Sequence, residues 1–585
     1  MFSLRKAFLI LNHNQKKYLL FIFIMVLISM LLESLSIGII LPLFSILLNG
    51  DINNNYFSSF FQLTGIEGKE LIYIGLSATL AIFLSKNLFL IFNHWCVLKF
   101  LEKIFKELTN TLFKHYLKQN YIFFLQRNTA ELIRNVRSEI NSFTQYINMY
   151  MTFVSETLIS IGIICVLFYV DFLGTIIILS SVSGFGLVIF LFSKRKINIL
   201  GQNRIIFDGQ INKHVYQGLF SAKDVKILDR ENDLIEQVND NVSKLSRVNQ
   251  IFQFLAGLPK FLFEILIVFV FVTLVIFMIS INRDMIEIVQ YLGVFAIASF
   301  RIVPAAIRIF AAMQQIKYRQ PTVNLLSEEL NLNTDSFEYE NTKTKNSKIS
   351  KKFNNKINLS NLNFTYPSRQ EFSLSDISMT IKKGDFIGIV GQTGSGKSTL
   401  INLFTGLLKP KSGKIEVDEC DIFSGLSDWH RKIGYVPQSI YLTDDTIKKN
   451  IAFGLKESDI DHNLINQAVE KANLNELLQN LPNGIETFVG EKGIRISGGQ
   501  LQRVGIARAL YRNPEILVLD EATSSLDFIT EKKIMDSIQL LKREKTLIIV
   551  THRLSSVENC DKVFFIDKGK IKKEGPPQEV LKYLK

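Results

Sequence analysis

Gly391-Gln392-Thr393-Gly394-Ser395-Gly396-Lys397-Ser398 stands directly behind the apolar run Phe386-Ile387-Gly388-Ile389-Val390 and in front of a second apolar run that begins near Thr399. The order predicts a buried strand, a glycine-rich loop and a helix starting near Thr399. Glycines let the loop backbone turn tightly enough for its N–H groups to close around phosphate oxygens. The spacing assigns Lys397 to the β- and γ-phosphates and Ser398 to Mg2+, so 391–399 reads as an ATP site. Ile516-Leu517-Val518-Leu519-Asp520-Glu521 is a second buried strand, ending in two carboxylates. Asp520 is expected to hold Mg2+ through water, and Glu521 to polarise the attacking water as general base. A third strand, Thr546-Leu547-Ile548-Ile549-Val550, leads into Thr551-His552. A lone histidine is usually structural, but His552 follows an apolar strand just downstream of the carboxylates and is expected to touch the γ-phosphate.

About a hundred residues after the loop, Ser497-Gly498-Gly499-Gln500 opens a helix that runs to Asn513-Pro514. Its N-terminus exposes N–H groups and the positive end of the helix dipole, which favours an anion. The loop, the Ser-Gly-Gly-Gln segment and Asp520-Glu521 together resemble the ATP-binding cassette (ABC) family. The resemblance implies that Ser497, Gly498, Gly499 and Gln500 face the γ-phosphate held by the loop of a second subunit. One complete set per chain implies pairing, most simply as a homodimer. It further implies that Tyr366 stacks on adenine, that Gln438 reaches Mg2+, and that Asp527 of Ser525-Leu526-Asp527 lies at the dimer contact. Thr487-Phe488-Val489-Gly490-Glu491-Lys492-Gly493 matches a contact segment of exporters. Ile496 replaces the usual leucine and Ser525 the common alanine, and neither change touches the hydrolytic groups.

The first 330 residues differ in kind. The chain of 585 residues is 48% hydrophobic, contains 47 Phe and has a positive mean hydropathy, which is too apolar for an ordinary soluble protein. Six spans are expected at about 18–48, 71–100, 141–170, 174–193, 251–281 and 286–317, several longer than the ~20 residues that cross the hydrocarbon. The segment 99–139 holds eight Lys or Arg and 194–250 holds ten, whereas the outer loops hold only Lys69 and Arg283. This asymmetry places both ends and the two long segments in the cytoplasm. It also accounts for the net charge of +13 without nucleic acid, for which no recognition motif is present. The run from Tyr18 to Leu48 is too long for a cleaved signal peptide. Cys96, Cys165, Cys420 and Cys560 form no metal pattern and read as free thiols. Over 49–70, Tyr56, Phe57, Phe60, Phe61 and Leu63 are spaced as a short amphipathic helix on the outer face.

The expected fold is thus an α-helical membrane domain of six spans with long cytoplasmic helical hairpins (1–330), a polar linker (331–355) and a C-terminal α/β cassette (356–585). It resembles exporter-type half-transporters, which implies short transverse helices near 121–128 and 213–220. Within the spans lie Lys86, Lys260, Glu264, Arg301, Arg308 and Glu33. A lone charge at mid-membrane costs at least ~2.5–3.5 kcal/mol, so these face a wet cavity, the interface or a partner. Lined up, Lys86, Lys260, Arg301 and Arg308 suit an anionic headgroup; ion pairing or snorkelling is the alternative, with Glu33 a partner for one of the cations.

Glu33-Ser34-Leu35-Ser36-Ile37-Gly38 with Leu41-Pro42-Leu43-Phe44, Leu258-Pro259-Lys260, and Phe300-Arg301-Ile302-Val303-Pro304 with Arg308 resemble bacterial lipid-linked-oligosaccharide flippases of the PglK type. That resemblance implies a homodimeric ATPase of the bacterial cytoplasmic membrane whose cargo is a polyprenyl-pyrophosphate oligosaccharide. A phospholipid, drug or peptide exporter keeps the same fold, and an ATP-gated channel or regulatory subunit is a third reading.

Overall fold

The computed structural model describes residues 2–38, 69–170, 172–280, 285–331, 352–367, 373–522 and 528–584. Most of the outer segment 49–70, most of the linker 331–355 and Asp527 lie outside the described residues. The chain divides into two compact units, Met1–Gln119 with Gln126–Asn333, and Asn120–Leu125 with Thr334–Lys585.

The first unit is helical throughout. A short helix, Phe2–Ile10, precedes His13–Gly38, Lys69–Leu117, Ile140–Val170, Phe172–Phe220, Glu231–Ser280 and Met285–Asn331. Five helices are long and apolar enough to cross a membrane among the described residues, and the sixth expected span lies in Met285–Asn331, a helix of 47 residues. Glu231–Ser280 has 50 residues, about 75 Å at 1.5 Å per residue, more than twice the hydrocarbon thickness. The polar segments 99–139 and 194–250 are therefore largely extensions of spanning helices. Leu80, Leu84, Leu88, Ile91 and Trp95 recur at helical spacing on one face and are all exposed, as a lipid-facing stripe requires.

Packing in this unit is tight where side chains are small. Gly201 of Phe172–Phe220 meets Met285–Asn331 so closely that a Cβ there would stand 2.1 Å from the Tyr318 carbonyl oxygen. Beside it the Tyr318 and Phe252 rings stack with centroids 3.8 Å apart. Pro259 sits inside Glu231–Ser280 and cannot donate to the carbonyl four residues back. That carbonyl, on Leu255, instead accepts from Gln314 Nε2 at 3.2 Å, tying the two helices at the proline. A π-helical turn, Asn135–Glu139, delivers the fully buried Glu139 to Arg204 at 3.0 Å and to the Thr322 hydroxyl at 2.7 Å.

Short helices occur at Tyr121–Gln126 and Ala222–Ile227. The first falls within the expected segment. The second corrects the expectation for 213–220, because those residues complete the long helix Phe172–Phe220. The polar, helix-compatible run Lys213-His214-Val215-Tyr216-Gln217 lets the helix continue to Ser221, where the chain turns.

The second unit carries two sheets. Strands β1 (Lys356–Phe364), β2 (Leu374–Lys382), β4 (Ser412–Val417) and β5 (Cys420–Asp421) form an antiparallel sheet in the order β2-β1-β4-β5. Strands β3 (Phe386–Val390), β6 (Ile433–Val436), β7 (Ile516–Asp520), β8 (Thr546–Thr551), β9 (Lys562–Asp567) and β10 (Lys570–Gly575) form the second, in the order β10-β9-β3-β8-β7-β6. All its neighbours are parallel except β9 and β10. Every residue of β3, β7 and β8 is buried, as expected for a parallel sheet covered on both faces. The segment Asn120–Leu125 belongs to this unit, and Ile122 packs against the cluster that holds Leu400, Phe404 and Trp429.

Candidate nucleotide site

The parallel register brings the predicted residues together. Val390 pairs with Thr551, Asp520 with Val550, and Val436 with Leu519, so β3, β8, β7 and β6 end at one edge of the sheet. Ligands of open α/β sheets bind at such carboxyl ends. There the loop 391–398 leaves β3, Glu521 follows β7, His552 follows β8, and Gln438 stands two residues beyond β6.

The loop feeds the helix Lys397–Phe404, which starts two residues earlier than the sequence suggested. Ser398 and Thr399 therefore lie in its first turn, where N–H groups lack helical partners. Gly394 and Gly396 have φ of +82° and +105°, the left-handed region that favours glycine. Gly391 has no room for a Cβ, which would meet the Ile566 carbonyl oxygen at 2.2 Å. Gln392, Thr393 and Ser398 are exposed, whereas Ser395 is buried and its hydroxyl has no partner. Lys397 folds back onto its own loop and donates to the Gly391 and Gln392 carbonyls at 2.8 and 3.0 Å. Burial pushes its pKa down, against the opposing pull of Glu521 and Asp520.

Glu521 is the hub. Its carboxylate accepts from Gln438 Nε2 at 2.9 Å, lies 3.4 Å from His552 Nδ1 and is 4.0 Å from the Lys397 ammonium. Its backbone takes φ +48°, rare for a residue with a side chain, and its N–H donates to the Val550 carbonyl at 2.8 Å. Such conformations persist only where surrounding structure holds them and concentrate at functional positions. Asp520 is buried, and burial raises its pKa despite the hydrogen bond it accepts from the Tyr435 hydroxyl at 3.2 Å. Burial, then Asp520, pushes the Tyr435 phenol up in turn. Sequence reasoning did not single out Tyr435; its place three residues before Gln438, on a strand beside β7, is the signal that could have found it.

The Ser398 hydroxyl, the Asp520 carboxylate and the Gln438 amide oxygen form a set of hard oxygen donors. Mg2+ prefers such donors, few of them from protein, with phosphate and water completing the shell. Among the described residues no cluster of His, Cys, Asp and Glu could hold a metal by itself. The fit is therefore to Mg2+ carried with a nucleotide.

Tyr366 is half-buried, packed edge-on against Phe364 at 4.9 Å, with its hydroxyl 3.3 Å from the Thr399 hydroxyl. It stands over the start of the loop's helix. Ser497 caps the helix Gly498–Leu510: its hydroxyl accepts from the Gln500 N–H at 3.3 Å, and Gln500 Oε1 accepts from the Ser497 N–H at 2.8 Å. Ser497 and Gly498 are exposed, Gly499 and Gln500 are half-buried, and open space surrounds the Gly498 Cα.

In the membrane unit the four cations make different contacts. Arg301 and Lys86 both pair with Glu33, at 2.6 and 3.3 Å. Arg308 makes a two-pronged pair with Glu156, at 2.7 and 3.0 Å. Lys260 is exposed, its ammonium 6.0 Å from the Phe261 ring. An apolar cavity between helices is lined instead by residues such as Leu167, Val182, Leu266, Phe271 and Val303. Two carboxylates thus pair with three of the four cations, Lys86, Arg301 and Arg308. Glu33 is a partner that the sequence offers for one of the cations, whereas Glu156 is a lone acid inside an apolar run that no motif marks.

Residues 374–524 match the ABC transporter family. An ATP-dependent lipid A-core flippase of Pasteurella multocida is 40% identical over 226 residues, 38% of this chain and 39% of that protein. A probable multidrug resistance ABC transporter ATP-binding/permease protein of Bacillus subtilis, YheI, is 43% identical over 229 residues, 38% of each chain. The chain thus matches about two fifths of the length of these relatives. A bacterial Atm1-family ABC exporter solved with ATP bound superposes with a TM-score of 0.79 at 21% identity, covering 98% of this chain and 97% of that one. The fold is therefore a helical membrane domain of long helices with a C-terminal α/β ABC cassette.

Proposed function

We propose that this chain is half of an ATP-hydrolysing exporter that pairs with a second copy and moves an amphipathic cargo across a bacterial cytoplasmic membrane. The observation that carries the ATPase reading is Glu521, held in a left-handed backbone conformation with its carboxylate on Gln438 and beside His552 and Lys397. In this reading the 391–399 backbone and Lys397, released from its loop carbonyls, take the β- and γ-phosphates. Ser398, Asp520 and Gln438 would hold Mg2+, which would neutralise phosphate charge. Glu521 accepts the proton of the attacking water as its oxygen bonds to the γ-phosphorus and the bridging oxygen leaves with ADP. Gln438 and His552 fix the direction of that carboxylate. Ser497–Gln500 of one copy closes over the nucleotide of the other, with Tyr366 against adenine and Asp527 at the dimer contact. ATP binding closes the dimer and hydrolysis resets it.

The cargo reading is a polyprenyl-pyrophosphate-linked oligosaccharide. Support comes from the membrane motifs around Glu33, Lys260 and Arg301, and from three buried or half-buried cations, Lys86, Arg301 and Arg308, in one helix bundle. Some of the relatives are, by name, flippases of lipid A-core. A second reading, an apolar drug or a phospholipid, draws on the neutralisation of those cations by Glu33 and Glu156.

The test is transport of a fluorescent polyprenyl-pyrophosphate oligosaccharide in proteoliposomes. ATP-dependent movement is expected for wild type, lost in Glu521→Gln, and lost in Arg301→Ala/Arg308→Ala while ATPase activity persists. ATPase activity without movement would end the glycolipid reading and leave the exporter.

A further inference from the structure

Arg308 presents the Nε and Nη2 edge of its guanidinium to Glu156, with both contacts at hydrogen-bond distance. A phosphate would use that same fork. Arg301 gives Nη2 to Glu33, and its Nε is buried without a partner. Glu33 is bridged by two cations, so it can release Arg301 and remain neutralised by Lys86 at 3.3 Å. Glu156 pairs with Arg308, and its side chain is 14% exposed against 3% for Glu33, so water can take up its charge. Both carboxylates are therefore built to be displaced, by different means. The sum of Lys86, Arg301, Arg308, Glu33 and Glu156 is one positive charge per chain.

We propose that Glu33 and Glu156 are internal counter-ions that an anionic cargo must displace, setting an affinity threshold for it, resting on the glycolipid reading above. A neutral or singly charged headgroup cannot match the carboxylates already seated on Arg301 and Arg308. A pyrophosphate, with more charge and forked acceptors, can replace both at once. Each closed pair lowers the apparent affinity for any anion by the fraction of time the arginine is open; a pair closed about nine-tenths of the time lowers it tenfold. The factor is the same for every ligand that needs that arginine, so a weakly bound headgroup is the first to fall below its working concentration. Glu33 and Glu156 are in this sense positioning residues: they need never touch the cargo.

The experiment uses the full-length protein in proteoliposomes and reads ATPase stimulation by polyprenyl pyrophosphate and by polyprenyl monophosphate. Wild type should be half-maximally stimulated at a lower concentration of the pyrophosphate. Glu156→Gln opens Arg308, so the half-maximal concentration of each probe should fall by roughly tenfold. Glu156→Asp keeps the charge but shortens the reach by one methylene, giving a smaller shift in the same direction, and serves if the glutamine variant does not fold. Half-maximal concentrations unchanged in these variants, with wild type still preferring pyrophosphate, overturn the counter-ion proposal and leave the glycolipid reading intact. A wild type indifferent to both probes removes the glycolipid reading and the proposal with it.

Discussion

Glu33→Gln should be the most damaging single change in the membrane unit. The Glu33 side chain is 3% exposed, Lys86 is 9% and Arg301 is 30%. The substitution leaves two cations facing one neutral amide. Removing one partner of a buried ion pair costs about 3–5 kcal/mol, because the other charge stays buried and unpaired. Arg301 is nearly one-third exposed, so solvent screens it and its share is discounted. Lys86 carries most of the cost, and the expected loss is about 3 kcal/mol, the lower end of that range. Lys86→Met removes the other partner but leaves Glu33 on Arg301 at 2.6 Å, so it should cost only about 1 kcal/mol. The double variant Glu33→Gln/Lys86→Met should then be more stable than Glu33→Gln alone. Thermal unfolding in nanodiscs, followed by intrinsic fluorescence, reads the order: wild type, then Lys86→Met, then the double variant, then Glu33→Gln. If Glu33→Gln melts with wild type, or Lys86→Met melts as low as Glu33→Gln, the charge argument is wrong.

Glu521→Gln should lower ATP turnover by ~10²–10⁴ while nucleotide binding persists, measured by phosphate release and by fluorescent-nucleotide binding. Asp520→Asn should stabilise the nucleotide-free protein in a pH-dependent way. Burial raises the Asp520 pKa above 3.8, so its contribution to stability is full below the unfolded value and is lost as pH rises through the folded one. The melting advantage of Asp520→Asn should therefore be present at pH 8 and vanish toward acid; an advantage independent of pH would contradict the assignment. Gly201→Ala should destabilise the membrane unit by about 1–3 kcal/mol, since the new methyl meets a backbone oxygen that cannot swing away. Equal thermal unfolding of the two proteins would refute the close helix approach.

Local signals were readable and long-range ones were not. Residues 386–398 declare strand, loop and helix because the strand is almost uniformly apolar and the glycines supply left-handed backbone shapes that other residues avoid. The span signal was readable for the same reason, since composition within one helix decides it. The helix start at Lys397 and the continuation through 213–220 were misplaced, because end positions rest on one or two hydrogen bonds that composition barely affects. Arg308 and Glu156 are 152 positions apart, so no window of sequence contains their pair. An isolated acid in an apolar run shows that a partner is needed without naming it. The convergence of Gln438, Glu521 and His552 likewise depends on the strand order β3-β8-β7-β6, which no single motif encodes.

Pro259 divides its helix unequally. Twenty-eight residues precede it in Glu231–Ser280 and twenty-one follow, arms of about 42 and 32 Å at 1.5 Å per residue. The Gln314 clasp on Leu255 pins the rod close to that division. Such a rod behaves as a lever on a fulcrum. A swing of about 5° there shifts the longer end by nearly 4 Å and the shorter end by about 3 Å the opposite way, from helix dimensions alone. A movement at the polar end smaller than the width of one side chain is thus enough to open or shut a gap at the apolar end, with no helical hydrogen bond broken along either arm.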